Sequence, residues 1–309
     1  MDETADNNKA RMRQRPGLCR LGLGVSGPLG ADWFSDAKAS ALIEGAIERG
    51  ISRFDTSPLY GVAETRLGEA IRSVGPAAAK SLKVSTKVGN FLDHEGRRRR
   101  DFSPETIRRL VEQSLGRLGL DALEILYLHG PDEHELMTSL PVLADLQDAG
   151  LIRQTGVCSE GSHLARAARE DSVDMLMGTY NLFDRRHETM FDEASSAGKT
   201  VTAIAPLGQG LYRRGFLVPK SLADGWYIAR ALVRNRRQLG AATQEQWLHE
   251  VEGWDAPSLA LAFTLANPAV DCAMTTTTRL AHLEANIAAA GRELPHDLMM
   301  RLASVASDG

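Results

Sequence analysis

Four side chains suited to acid–base chemistry stand at or near the ends of short apolar runs. They are Asp55 and Tyr60 in "DTSPLYG", Lys87 in "STKVG" and His129 in "YLHGPD". A tyrosine titrates near about 10 and is a poor proton donor or acceptor at neutral pH. A nearby ammonium favours the phenolate and lowers that value. A carboxylate beside the lysine keeps it charged and in place, and a neutral histidine can hold a carbonyl oxygen where the tyrosine can protonate it. Such a set could add a hydride to a carbonyl or remove one from an alcohol. Taken singly, each has an ordinary explanation: a snorkelling lysine, a loop histidine before Gly-Pro, an aspartate capping a turn. Acting together, they need a scaffold that brings them to one place.

The scaffold is legible as alternation. Eight apolar runs read as strands: "CRLGLGVS", "SRFDTS", "KVSTKVG", "LEILYLHG", "RQTGVCS", "DMLMGTYN", "TVTAIAPLG" and "VDCAMTT". Amphipathic stretches lie between most of them, among them "DAKASALIEGAIERG", "AETRLGEAIRSVG", "SPETIRRLVEQSLGRLG", "LMTSLPVLADLQDAG", "GSHLARAARE" and "RHETMFDEASSAGK". Several end in Gly, a common helix stop, and Ser103 followed by Pro104 reads as an N-cap with proline at the first helical position. Strict βα alternation predicts a parallel sheet, closed into an α/β (β/α)8 TIM barrel; an open doubly wound sheet is the alternative. In a barrel, strand C-terminal ends converge on one mouth, which is where Asp55, Lys87, His129 and Ser159 would meet.

Two excursions break the rhythm. Residues 208–255, rich in Trp and Arg, form a long insertion after strand seven, expected over the active face; "HEGRRRRDFS" after strand three is a shorter one. The run "GLGVSG" matches the dinucleotide fingerprint by letter, but "PLGADWFSD" follows and delays the helix to about Asp36, against a Rossmann reading. Its glycines instead let the chain pass close to something at the barrel mouth, with Gly24 and Val25 as candidate cofactor contacts.

With these motifs in hand, the chain from about Cys19 onward resembles the aldo-keto reductase family. The most specific segments are "FDTSPLYGVAETRLGEAI", "VSTKVG", "LEILYLHGPD" and "HLEANIAAA". The resemblance implies NAD(P)(H)-dependent interconversion of a carbonyl (aldehyde, ketone or sugar lactol/lactone) and an alcohol. It makes Tyr60 the general acid–base, with Lys87 lowering its pKa, Asp55 pairing Lys87 and His129 orienting the carbonyl. It also implies nicotinamide contacts at Ser159 and at the positions of Glu160, Met177 and Ile204, where the family usually has Asn, Gln and an aromatic residue. Tyr180 or Trp226 are candidates to rebuild that side. Pro206, Leu207 and Gly208 resemble the family's pyrophosphate loop. Thr276, Thr277, Arg279, His282 and Asn286 fall where the adenosine end would bind, and NADP(H) is favoured over NAD(H). Trp33, Trp226 and Tyr227 are candidates for the apolar wall of the substrate site.

Two other readings compete: a redox-quiet nucleotide-binding regulatory protein of the same fold, and a lyase using Lys87 as a Schiff-base nucleophile. Pairing with Asp55 argues against the second, because it keeps Lys87 protonated.

The resemblance implies a small-molecule carbonyl or alcohol as partner, and bulk composition argues against others. A net charge of −4 argues against nucleic acid, and no run of about 18 apolar residues suggests a membrane span. Cys19, Cys158 and Cys272 have no metal spacing, so no metal is expected and a reduced, cytoplasmic setting is. Residues 1–16 read as a flexible tail and 17–309 as one barrel domain. The oligomeric state is not readable from the sequence.

Overall fold

The computed structural model describes residues 20–208, 212, 222, 225, 226, 228, 229, 233 and 245–305. The tail 1–16, Cys19, Tyr227, the basic run 234–237 and most of the 208–255 insertion lie outside the described residues.

Eight parallel strands form a closed barrel: β1 (Leu21–Gly24), β2 (Arg53–Asp55), β3 (Lys83–Val88), β4 (Leu123–His129), β5 (Ile152–Cys158), β6 (Met175–Thr179), β7 (Thr200–Ile204) and β8 (Cys272–Thr275), in the order β1-β8-β7-β6-β5-β4-β3-β2. Each is followed by a helix: α1 (Asp36–Glu48), α2 (Ala63–Ser73), α3 (Pro104–Leu118), α4 (Glu133–Asp148), α5 (Gly161–Ala167), α6 (Glu188–Ser196), α7 (Ala256–Ala266) and α8 (Leu280–Ala290), with α9 (His296–Ala303) beyond. The closed barrel is thus the architecture, not the open sheet. Among the described residues, no helix is long and apolar enough to cross a membrane.

The chain divides into two compact units. One comprises Gly22–Gly178 with Thr276–Leu280. Within it the registers Gly24↔Asp55, Asp55↔Ser85, Lys87↔Tyr127, His129↔Cys158 and Cys158↔Met177 align the strand ends. Its helices start where the local chemistry dictates. Ser103 caps α3 by accepting from the Thr106 N–H at 3.4 Å, Pro104 opens the helix and Gly119 closes it at φ 69°. Asp132 and Glu135 form a reciprocal capping box on α4, which therefore begins three residues before the apolar pattern at Leu136. Helix α2 buries Leu67 and Ile71, each worth roughly 1.5–3 kcal/mol of apolar burial. It also buries the Glu64 carboxylate, which accepts from Thr86 (2.7 Å), Ser114 (2.7 Å) and Arg117 (2.8 Å).

The second shorter excursion is a β-hairpin, Asn90–Leu92 paired antiparallel with Arg98–Arg100. Its arginines are occupied locally: Arg97 and Arg99 pair with Asp93, and Arg100 with Glu135.

The other unit comprises Thr179–Thr275 and the C-terminal segment from Ala281, with the N-terminus to Leu21. Tyr180 is buried there, stacked on Phe263 with ring centroids 6.2 Å apart, and its hydroxyl donates to Glu188 at 2.6 Å. That packing corrects the expectation that Tyr180 could rebuild nicotinamide recognition: its ring and hydroxyl are both committed to the helices outside the strands.

Candidate active site

The tyrosine turn is pinned from both sides. After β2, the Thr56 N–H donates to the Ser85 carbonyl at 3.0 Å, so strand pairing runs one residue past Asp55. The chain then turns, with Tyr60 N–H donating to the Ser57 carbonyl at 2.9 Å and Leu59 N–H to Ser57 Oγ at 3.1 Å. Gly61 lies at φ 61°, and Val62 N–H donates to the Gly30 carbonyl at 3.0 Å before α2 begins. The two backbones touch here. A Cβ on Gly30 would sit 1.8 Å from the Tyr60 carbonyl oxygen, and one on Gly61 2.2 Å from that of Gly30. Glycine at both positions is what lets the loop after β1 hold the Tyr60 turn in place.

That loop has its own anchor. Arg66 of α2, 5% exposed, donates to the carbonyls of Leu29 (2.9 Å), Ala31 (3.0 Å) and Phe34 (2.6 Å) and to Asp36 (2.8 Å). The helix after "GLGVSG" starts at Asp36, as expected, and Gly27 turns at φ 60°. Val25 is buried, its N–H donating to the Asp55 carbonyl at 2.8 Å and its carbonyl accepting from Thr56 Oγ1 at 3.2 Å. Trp33 stands 52% exposed on this loop.

The four acid–base residues are brought together. Lys87, 1% exposed, pairs with Asp55 and donates to the Thr56 carbonyl at 2.9 Å. Asp55 also accepts from Ser85 Oγ at 2.8 Å. Lys87 Nζ lies 5.2 Å from the Tyr60 ring centroid. The His129 ring meets that of Tyr60 edge to face, with centroids 5.9 Å apart at 82°. Burial alone would pull the Lys87 pKa down, but the negative charges that Asp55, Tyr60 and Cys158 can carry outweigh it and raise the pKa above the ordinary value. His129 goes the other way. Burial first, then the charges of Lys87, Arg98 and Arg100, lower its pKa to about 3, so the imidazole is neutral at physiological pH.

Several supporting residues were not singled out by sequence reasoning. Asn90 Nδ2 donates to the His129 carbonyl at 2.6 Å, and Arg98 donates to Asn90 Oδ1 at 3.2 Å, so the hairpin braces the end of β4. Ser57 Oγ lies 3.4 Å from His129 Nδ1. Cys158 sits between His129 and Met177 in the strand register, and burial pushes its thiol up to about 12, with Lys87 pulling the other way. A strand-end position was the available signal for Cys158; Asn90 and Ser57 act across about 40 and 70 residues of chain, which no local pattern shows.

In the same unit Ser159 is partly buried, its N–H donating to the Met177 carbonyl at 3.1 Å; Met177 is buried and Glu160 exposed. Thr276 Oγ1 lies 3.4 Å from Ser26 Oγ, and Thr277 Oγ1 accepts from the Arg279 N–H at 3.2 Å. In the other unit, Ile204 is partly buried. A tight turn runs from Ala205 at φ 54° through Pro206 and Leu207 to Gly208, whose N–H donates to the Ala205 carbonyl at 2.9 Å. Asn286 is 6% exposed, and its Nδ2 has no hydrogen-bond partner among the described residues. His282 is exposed and Trp226 partly buried.

A closed parallel barrel that carries Asp, Tyr, Lys and His in one cluster defines a class of protein, and sequence comparison agrees with it. The Aldo/keto reductase family profile matches residues 20–307, and the chain belongs to that family of oxidoreductases. A D-threo-aldose 1-dehydrogenase from Pseudomonas sp is 29% identical over 87% of this chain and 88% of its own. Pyridoxine 4-dehydrogenase from Escherichia coli (strain K12) is 26% identical over 94% and 95%. Among solved structures, an aldo-keto reductase from Bacillus halodurans in its holo form shares the fold, with TM-score 0.77 and 23% identity over 93% of this chain and 92% of that one.

Proposed function

We propose that the protein interconverts a carbonyl and an alcohol using a nicotinamide nucleotide, with Tyr60 as the general acid–base. The observation that carries this reading is the placement of the Lys87 ammonium, paired with Asp55, 5.2 Å from the Tyr60 ring centroid. An ion-paired ammonium there stabilises the phenolate that forms when Tyr60 gives up its proton. The coupling is mutual, since charge on Tyr60 raises the Lys87 pKa. His129, neutral and edge-on to Tyr60, offers an N–H to the substrate oxygen without competing for the proton. In the reducing direction Tyr60 protonates that oxygen; in the oxidising direction its phenolate takes the proton back. A Schiff-base role for Lys87 is disfavoured, because its raised pKa keeps it protonated.

The bound nucleotide would supply or accept the hydride. The residues present fit such a group. Thr276 with Arg279 suits a phosphate at the start of α8; in the other unit, Asn286 Nδ2, without a hydrogen-bond partner among the described residues, by itself suits a ring-nitrogen acceptor. Ser159 and Glu160 would hold the carboxamide, though a carboxylate accepts from its NH₂ and cannot donate to its oxygen. NADP(H) is the proposed form, resting on Arg279 and His282; a relative 26% identical, from Escherichia coli (strain K12), is named an NADH-specific methylglyoxal reductase. The names of the relatives make a sugar lactol or small aldehyde the first substrates to try.

The test is a titration with NADPH and NADH followed by tryptophan fluorescence, then turnover with a panel of aldoses, aldehydes and ketones. Tyr60→Phe should lower kcat by about 10²–10⁴-fold and leave nucleotide affinity unchanged. Binding of neither nucleotide would overturn the reading.

A further inference from the structure

We propose that Ser57 is a positioning residue that fixes the tautomer of His129, placing its proton on Nε2; the functional meaning of this rests on the reductase reading above. The donors and acceptors around the Ser57 hydroxyl require this arrangement. Ser57 is fully buried, at 0% exposed. Its hydroxyl has one proton and two acceptor lone pairs. The Leu59 N–H, at 3.1 Å, already occupies one lone pair. Among the described residues, the remaining contact of Oγ is His129 Nδ1 at 3.4 Å.

If Nδ1 carried the proton, it would donate to Ser57 and leave the serine proton buried without an acceptor. If Nδ1 is bare, the serine proton has its acceptor and every group is satisfied. The second arrangement leaves Nε2 protonated. Among the described residues the ring's hydrogen-bond contact is at Nδ1, which leaves Nε2 to meet a substrate oxygen. The backbone is held as well, because Asn90 Nδ2 donates to the His129 carbonyl at 2.6 Å. Ser57 and Asn90 thus fix the proton and the main chain of one residue from two directions.

The arrangement also governs acid behaviour. A hydroxyl donating to Nδ1 must break that bond when the ring gains a second proton, so Ser57 favours the neutral ring. Three cations, Lys87, Arg98 and Arg100, act on the ring in the same sense.

The experiment uses the full chain labelled with ¹⁵N-histidine, with His129 identified by comparison with His129→Gln. Long-range ¹H–¹⁵N spectra should show Nδ1 unprotonated and Nε2 protonated at neutral pH. Ser57→Ala should move the Nδ1 resonance toward that of a nitrogen without a donor and raise the His129 pKa. It should also lower kcat roughly tenfold, by analogy with outer partners of functional histidines, with little change in KM. The acid limb of kcat/KM should move to higher pH. A protonated Nδ1 in the unsubstituted protein would overturn the proposal. So would an Ala variant with the same Nδ1 shift and the same pKa. The expected spectra in a protein that binds no nucleotide would leave the role of Ser57 standing and sink the reductase reading instead.

Discussion

Lys87 is the residue on which the site turns, and its charge is held at a cost. A buried ammonium is tolerable because Asp55 pairs with it and the Thr56 carbonyl accepts at 2.9 Å. Removing one partner leaves the other charge buried and uncompensated. Asp55→Asn should therefore destabilise by about 3–5 kcal/mol in urea unfolding at neutral pH, besides lowering kcat. The decisive comparison is with the Asp55→Asn, Lys87→Met double variant. Removing both charges should recover part of the loss, so the double variant should be more stable than Asp55→Asn alone. A double variant no more stable than Asp55→Asn would mean that packing, not charge, carries the cost. At this scale the sequence was informative about the reacting groups, because Asp55, Tyr60, Lys87 and His129 each stand at or just beyond a strand's C-terminal end. It was silent about the groups that hold them. Ser85, Ser57 and Asn90 act through long-range hydrogen bonds, and a serine or asparagine in a strand or loop has no type or spacing that announces a partner.

Between elements, the crossing of the loop after β1 with the Tyr60 turn is the most demanding contact near the site. Gly30 has no room for a side chain, and the obstructing atom is the backbone oxygen of Tyr60, which cannot rotate away. Gly30→Ala should cost about 1–3 kcal/mol from overpacking. It should also shift Tyr60, so that kcat falls by as much as about 10²-fold. Gly116→Ala is the control. It lies inside α3 with nothing within 4 Å of a new Cβ, so it should stabilise by up to about 1 kcal/mol with unchanged kcat. Equal kinetic losses in both variants would show that the contact at Gly30 does not position Tyr60. The elements themselves were legible to differing degrees. Long parallel strands such as β4 are buried nearly throughout and read as apolar runs. The Asn90–Leu92 and Arg98–Arg100 hairpin was not legible as strand. Its three-residue arms carry three arginines and no alternation, and its turn is set instead by Gly96 at φ 73° and by Asp93, which accepts from the N–H groups of Glu95 (3.0 Å) and Arg97 (2.9 Å). The start of α4 was missed for a similar reason, since a capping box is polar and precedes the apolar pattern it starts.

For the molecule as a whole, the neutral state of His129 links the site to acid stability. In the folded protein its pKa is about 3, against 6.5 for the ordinary side chain. Between those two values the unfolded chain takes up a proton at this residue and the folded chain does not. Stability therefore rises with pH across the window, is complete above pH 6.5, and is lost as pH falls toward 3. A single proton of this kind contributes a slope of at most about 1.4 kcal/mol per pH unit. Carboxylates contribute in the same direction at lower pH, so the informative range is pH 6.5 down to about 5, where most of them remain ionised. His129→Gln removes the titration while keeping a group that can meet Ser57 Oγ. Urea unfolding of the two proteins at half-unit steps should show a steeper loss of stability in the unsubstituted protein over that range, the two curves running parallel above it. Identical slopes would mean that His129 titrates in the folded protein as it does in the unfolded chain, so that burial and the neighbouring cations do not hold the ring neutral through the acid range.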